Sequence, residues 1–371
     1  MAILLAGLAL WYGYTHRARA QALARVSFSS LPGWANADLA PALAAFQQSC
    51  AALAKKPPST SMGYAGTFGD WQVACVSAGG NPREFFTGNF TPYELEGGPG
   101  LFTGYYEPLI SGSRAQHGPY QTPVYGMPDD LVRADLGAFS PALKGEHISG
   151  QLEGHALVPY AARDEIARGG IANAPILFWC DDPVALFFLQ IQGSGRVRLD
   201  DGTLERIAYA GENGRPYTAI GRALIAQGQI KREDVSLASI RAWLKAHPER
   251  RDEILNTNQS YIFFREAPLG DERLGSPGTL GVGLTPGASV AVDMRLNALG
   301  APYYVAADPV QGLFVAQDTG GAIRGLARAD IFFGFGAKAE AQAGGMKARG
   351  RMFVLLPNAL AERLGAYHRV P

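Results

Sequence analysis

The sequence predicts a mainly β protein of two domains, with strands on both sides of a mixed middle section, a pattern that permits a β-barrel closed by both ends of the chain with the middle inserted as a second domain. Three observations lead there. Short apolar runs broken by Gly and Pro fill about 65–130 and 258–356, the pattern of short strands and turns. A section of mixed helical and strand-like periodicity lies between them. The 46 glycines and 24 prolines suit many tight turns, and 371 residues are enough for two cores. No internal repeat or low-complexity block is visible.

Residues 2–13 form an apolar run too short to span a bilayer comfortably, and they read as the core of a secretory signal. Ala18-Arg19-Ala20 and Ala20-Gln21-Ala22 offer small-x-small cleavage sites. A retained N-terminal membrane anchor over 1–22 is the alternative. No Cys follows the run closely, so a lipid anchor on Cys is not expected. Leu39, Leu43, Phe46, Cys50 and Leu53 recur at steps of three and four, which predicts a helix over 39–53 with Asp38 as N-cap. Strand and turn signals follow from about 65 to 130, including Gly98-Pro99-Gly100 before Leu101–Tyr106. Two strand-like runs, 184–191 and 196–209, flank Gly193-Ser194-Gly195, and Asp201-Gly202 is a hairpin signal. Helices return at Ile220, Leu224 and Ile225, and at Leu237, Ile240, Trp243 and Leu244 behind an Asp234 cap. After the strands of 258–356, Leu360–Leu364 suggests a short terminal helix.

Apolar residues make up 47% and charged residues 18%, an ordinary globular composition. Lys+Arg equals Asp+Glu at 33 each, so nothing in the charge points to nucleic acid or an anionic membrane surface. A neutral polymer such as a polysaccharide fits better. Cys50 and Cys75 flank a Pro-, Ser- and Gly-rich stretch and can pair in an exported protein, leaving Cys180 beside Phe178 and Trp179; three buried thiols are the other reading. No zinc-type spacing exists, and neither a metal nor a cofactor is expected.

Three clusters can carry chemistry. Asp318 and Asp330 lie twelve residues apart with Gly320, Gly321 and Ala322 between them, and Asp330 abuts Ile331-Phe332-Phe333. Desolvation by such neighbours raises a carboxyl pKa, which a general acid at neutral pH needs. The glycines permit close backbone approach, by a ligand or by another strand. Aspartates beside glycines are usually turn residues. Thr103, Gly104, Tyr105, Tyr106 and Glu107 suit a sugar, with rings to stack and polar tips for hydroxyls, and Glu107 is a rival catalytic carboxylate; an alternating strand explains the same letters. Gln190 and Gln192, at i and i+2 on a strand, would face one way beside Gly193 and Ser194 and reach glycan amides.

Together these segments resemble the membrane-bound lytic murein transglycosylase A family. The resemblance rests on Thr103–Pro108, Pro123–Pro128, Gln190–Gly195, Tyr209–Gly214 and the Asp318–Asp330 stretch, in the family's order. It implies a double-psi β-barrel from 30–108 plus 259–371, an inserted β-rich domain over 109–258, and a substrate groove between them. It implies an exported, periplasmic enzyme that cuts peptidoglycan glycan strands and works beside the wall synthesis and division machinery, with membrane association through the N-terminus. Asp293, Asp318 and Asp330 match the three aspartates of the family's barrel module, the last as the catalytic residue and Asp318 in support. Well-known members carry a lipid-anchoring Cys after the signal, which this chain lacks.

Overall fold

A computed structural model describes residues 22–143, 146–365 and 367–369. The signal or anchor read over 1–22 falls outside these residues up to Ala22. In chain order the strands are β1 (Ala22–Arg25), β2 (Phe90–Glu96), β3 (Gly100–Glu107), β4 (Leu109–Ser113), β5 (Thr122–Tyr125), β6 (Val132–Asp135), β7 (His147–Glu153), β8 (Ala156–Val158), β9 (Ile176–Cys180), β10 (Ser194–Leu199), β11 (Leu204–Glu212), β12 (Ile262–Ala267), β13 (Ser289–Val292), β14 (Pro302–Ala307), β15 (Gln311–Thr319), β16 (Arg328–Phe335), β17 (Lys347–Pro357) and β18 (Tyr367–Arg369). The helices that matter here are α1 (Ala40–Leu53), α2 (Phe68–Val76), α3 (Pro82–Asn89), α4 (Arg163–Gly169), α5 (Pro183–Gln192), α6 (Ile220–Ala226), α7 (Leu237–Ala246), α8 (Arg251–Leu255), α9 (Gly336–Gly344) and α10 (Asn358–Leu364).

The chain forms two compact units. Among the described residues the first holds 22–104, 277–332, 346–365 and 367–369; the second holds 105–143, 146–276 and 333–345. In the first sheet the order β14-β15-β13-β16-β3-β17 returns to β14 through a second β14–β17 pairing, which closes six strands into a barrel, while β2, β1 and β18 extend the sheet from β17. Closure removes the free edges that six short strands would otherwise expose. Phe46 of α1, Trp71 of α2, Phe85 and Phe86 of α3 and Phe90 of β2 pack as one aromatic cluster, with ring centroids 5.0 to 6.3 Å apart. Each such ring stabilises the unit by roughly 2 kcal/mol through burial alone. The Cys50–Cys75 disulfide ties α1 to α2, and Cys180 is a buried thiol.

The second unit is built on a six-stranded sheet, β12-β11-β10-β4-β9-β5, whose two outer strands meet through a Gly126–Phe264 bridge. Its core gathers Ile110, Val124, Phe178, Val197, Ile207 and Phe264. A small sheet of β6, β7 and β8 stands beside it in the chain.

Several segments differ from the sequence expectations, among them Gly336–Gly344, which is helix α9 within the expected strands of 258–356. The run 184–191 is helix α5, not a strand. Leu186 and Leu189 enter the core just described, while Phe187 and Phe188 join Leu224, Trp243 and Ile254 in another. A helix apolar on both faces has no 3.6 periodicity to read. Its start was marked: Asp182 accepts from Val184 N at 2.8 Å and Pro183 takes the first turn. Residues 68–89 hold α2 and α3 rather than strands. Asp70 accepts from Thr67 N at 2.8 Å to open α2, and Asn81 accepts from Arg83 N at 3.0 Å to open α3. Ser236, not Asp234, caps α7, accepting from Ser239 N at 3.1 Å. In α1 the N-cap is Leu39, one residue after Asp38, whose carboxylate accepts from Ala40 N at 3.1 Å.

The disulfide spans 25 residues of chain. Opening it in a Cys50→Ser, Cys75→Ser variant frees that loop in the unfolded state, and a loss of roughly 3 kcal/mol is expected. Urea unfolding of oxidised wild type against the double variant measures it; equal midpoints would show that the aromatic cluster alone holds α1 to α2.

Candidate active site

The first unit sets two carboxylates in one row. β13 is flanked by β15, parallel, and by β16, antiparallel, and Ala291 stands opposite both Asp318 and Asp330. Directly opposed residues share a face of the sheet. Asp318 and Asp330 therefore lie on the same face with the Ala291 methyl between them, their backbones two strand spacings, or roughly 10 Å, apart. Asp318 owes its place to a bulge: the ladder runs from Val290–Ala316 to Ala291–Asp318 and skips Gln317. Gln317 is turned inward, donating to Ala45 O at 2.7 Å and Ser49 Oγ at 3.0 Å and accepting from Ser289 Oγ.

Asp330 is mostly enclosed. Burial raises its carboxyl pKa, and the charge of Asp318 adds to that; the Thr103 hydrogen bond and the Arg328 charge pull the other way. Thr103 Oγ1 donates to Asp330 Oδ1 at 2.5 Å. Arg328 Nη2 donates to Thr103 Oγ1 at 2.8 Å, while Nη1 donates to Ala329 O at 2.5 Å and Leu101 O at 3.3 Å. Asp318 is held by Thr279, whose N and Oγ1 donate to its Oδ1 at 3.0 and 3.1 Å. The row thus contains one carboxyl pushed toward the neutral form and a second one, partly exposed, gripped by hydroxyl and amide donors.

Asp293, the residue after β13, is fully buried and does something else. Arg295 clamps it at 2.9 and 2.7 Å and Gly325 N donates to it at 2.9 Å. The Arg295 fork, with those amides, holds its carboxyl well below the usual range. It therefore anchors the loop 320–327 between β15 and β16. Gly320, Gly321 and Ala322 open that loop, the last two exposed, and Ile323 pins it to the core.

Several residues read from sequence as glycan contacts are enclosed instead. Tyr106 packs on Ala339 and Ala343 of α9, and burial pushes its hydroxyl up to about 12. Glu107 is 2% exposed, ion-paired with Arg196 at 2.9 Å and Arg206 at 3.3 Å, and accepts from Ser276 Oγ at 2.6 Å. A carboxylate fixed by two buried guanidiniums is an anchor, so it is no rival to Asp330. Gln190, 3% exposed on α5, accepts from Arg163 at 2.6 Å and donates to Ile262 O at 3.3 Å. Because α5 is a helix, Gln190 and Gln192 do not face one way. Gly193 ends α5 with φ 78°, which favours glycine, and a Cβ on Gly195 would collide with Leu189 and Pro108 O. Of this cluster Gln192 and Ser194 stay partly exposed, as do Gly104 and Tyr105 of the other. Arg328 was not singled out from sequence; its adjacency to Thr103 exists only once β3 pairs with β16.

The chain matches known proteins over most of its length. Residues 101–265 match the MltA specific insert domain and residues 288–356 match the 3D domain. The membrane-bound lytic murein transglycosylase A of Escherichia coli is 31% identical over 297 residues, 76% of this chain and 73% of its own. The protein of the same name from Vibrio cholerae is 31% identical over 268 residues, 69% and 65% of the two chains. Among solved structures, MltA from Neisseria gonorrhoeae superposes with a TM-score of 0.79 at 32% identity, covering 95% of this chain and 94% of that one. E. coli MltA with bound chitohexaose gives 0.67 at 27%, covering 90% and 94%.

Two outcomes are expected. A carboxyl whose folded pKa lies above its unfolded value weakens the fold as pH rises through that window, because the folded state holds the proton longer. Asp330→Asn should therefore melt higher than wild type at pH 7.5, with the gap closing below about pH 4, where the unfolded carboxyl is also protonated; a pH series of melting curves decides. Glu107→Leu leaves Arg196 and Arg206 buried without their counter-charge and should cost about 3–5 kcal/mol in urea unfolding.

Proposed function

We infer the reaction of this chain from its family: it belongs to the membrane-bound lytic murein transglycosylase A family. It is a lytic transglycosylase of peptidoglycan glycan strands, with a mainly β, double-psi barrel fold. It cuts the β-1,4 bond between N-acetylmuramic acid and N-acetylglucosamine without water and leaves a 1,6-anhydromuramoyl end.

We propose that Asp330 is the single acid and base of this reaction. The observation that carries the proposal is its buried carboxyl, pushed toward the neutral form at one end of the Asp330–Ala291–Asp318 row. Protonated Asp330 gives its proton to the glycosidic oxygen as the bond from muramoyl C1 breaks, and the N-acetylglucosamine leaves with a free C4 hydroxyl. The ionised carboxylate then takes the proton of the muramoyl C6 hydroxyl. The C6 oxygen closes on C1, which completes the anhydro bridge and returns Asp330 to its acid form. The nucleophile sits in the substrate, so its effective concentration is high and no second carboxylate has to activate water. Asp318 steadies the positive charge that develops at C1, and its own charge helps Asp330 keep its proton. The exposed loop start at Gly320, Gly321 and Ala322 is proposed to meet the glycan. Gly104, the last residue of β3 that belongs to the first unit, is proposed as a further glycan contact there; on the second unit Tyr105, Gln192 and Ser194 are partly exposed, while Gln190, Tyr106 and Glu107 support the fold.

Export to the periplasm and membrane association through the N-terminus are proposed with it. The Cys50–Cys75 disulfide supports an oxidising compartment, and the apolar run at 2–13 supports export. Among the described residues no helix is long and apolar enough to cross a membrane.

Asp330→Asn should lower release of soluble fragments from purified peptidoglycan by 10²-fold or more, the usual size of a positioned proton transfer. Mass spectra of products made in ¹⁸O-water should show anhydro ends without label. Label at the reducing end would replace the proposal with hydrolysis by an Asp330 and Asp318 pair.

A further inference from the structure

The hydrogen bonds around Asp330 go one step further than its identity as the acid. We propose that Arg328 is a positioning residue that acts through Thr103 to fix the working proton of Asp330 on Oδ2. The inference rests on the reading of Asp330 as the acid.

A guanidinium only donates, and a threonine hydroxyl has one proton. Arg328 Nη2 donates to Thr103 Oγ1 at 2.8 Å, so the Thr103 proton must leave in another direction. The acceptor in reach is Asp330 Oδ1 at 2.5 Å. Oδ1 is thereby committed as an acceptor. A proton placed there would face the Thr103 proton, so neutral Asp330 carries its proton on Oδ2. The arrangement is rigid because each member is fixed separately. Arg328 is forked onto the Ala329 and Leu101 carbonyls by Nη1, and Thr103 and Asp330 sit on β3 and β16, which are adjacent barrel strands. The charged groups facing Asp330 are Arg328 on its own strand and Asp318 on β15, one of each sign.

Such a relay has a functional consequence for a group that must be acid and then base. A free hydroxyl rotor can donate to a carboxylate or accept from a carboxylic acid, and it would follow Asp330 through the cycle. A rotor held by Arg328 can only donate. Asp330 therefore loses and regains its proton at the same oxygen, and leaving-group oxygen and C6 hydroxyl are served in turn from one position.

The test is a double-mutant cycle on peptidoglycan turnover, read as kcat, KM and the pH profile. Thr103→Val is isosteric but cannot donate, and should lower kcat on the order of tenfold or more with little change in KM, moving the alkaline limb to higher pH because a donor to the anion is gone. Thr103→Ser should restore the wild-type limb. Arg328→Gln should resemble Thr103→Val, and the double variant should be no worse than Thr103→Val alone, since both changes cut one relay. If Arg328→Gln exerts its full effect on the Thr103→Val background, the guanidinium acts by charge alone and the proposal is overturned. If Arg328→Gln does not fold, judged by its melting curve, the two Thr103 variants decide: identical profiles for Val and Ser would overturn it, because packing is served equally by Val. A fully active Asp330→Asn would instead sink the assignment of the acid, whatever the cycle gives.

Discussion

Enclosure of Asp330 pushes its carboxyl toward the neutral form, and a carboxyl so placed weakens the fold that holds it as pH rises. The barrel meets that constraint by register. Asp330 lies within β16, a strand paired on both sides, so its position cannot drift without breaking ladder hydrogen bonds to β13 and β3. The closed sheet fixes what surrounds it: Ala291 leaves room on one side, Thr103 supplies a donor on the other, and Asp318 stands one strand beyond. The bulge at Gln317 belongs to the same constraint. Without the extra residue, Gln317 would stand opposite Ala291 and no second carboxylate would bias the first.

The second unit handles buried charge differently. Glu107, Arg196 and Arg206 are all nearly free of solvent, and the two guanidiniums spend their remaining donors on backbone carbonyls of 269–274. Arg196 also lies under the Phe335 ring at 3.6 Å. These contacts strap the segment that leads out of the unit onto β10 and β11. A buried ion cluster of this kind is weak evidence for net stability, yet it specifies geometry, since any other path for that segment would leave a guanidinium without partners.

The sequence carried some of this openly. Asp330 beside three large apolar residues is the mark of a desolvated acid, and burial is the leading cause of its shift. The helix from Leu39 and the Asp201-Gly202 hairpin obeyed simple periodicity and turn chemistry. What escaped did so for physical reasons. Helix α5 is apolar on two faces because two cores meet on it. Glu107 and Gln190 looked like polar groups free for a ligand because their partners, Arg196 and Arg163, lie far away in sequence. Tyr106 looked like a sugar platform because alternation along a strand does not say which face is covered. The Thr103–Arg328 contact spans 225 residues, and only strand pairing brings it about.

The six-stranded barrel has an order of assembly written into its topology. β3 is complete at Glu107, but its two neighbours come from 328–335 and 347–357. A chain delivered from its N-terminus must carry β3 as an unpaired strand while the whole of β4 to β15 emerges. Until then its amides and carbonyls are open to any other extended segment. That exposure ends only when β16 and β17 arrive. The Asp330–Ala291–Asp318 row is assembled only with the last barrel strands, so a half-delivered molecule lacks it.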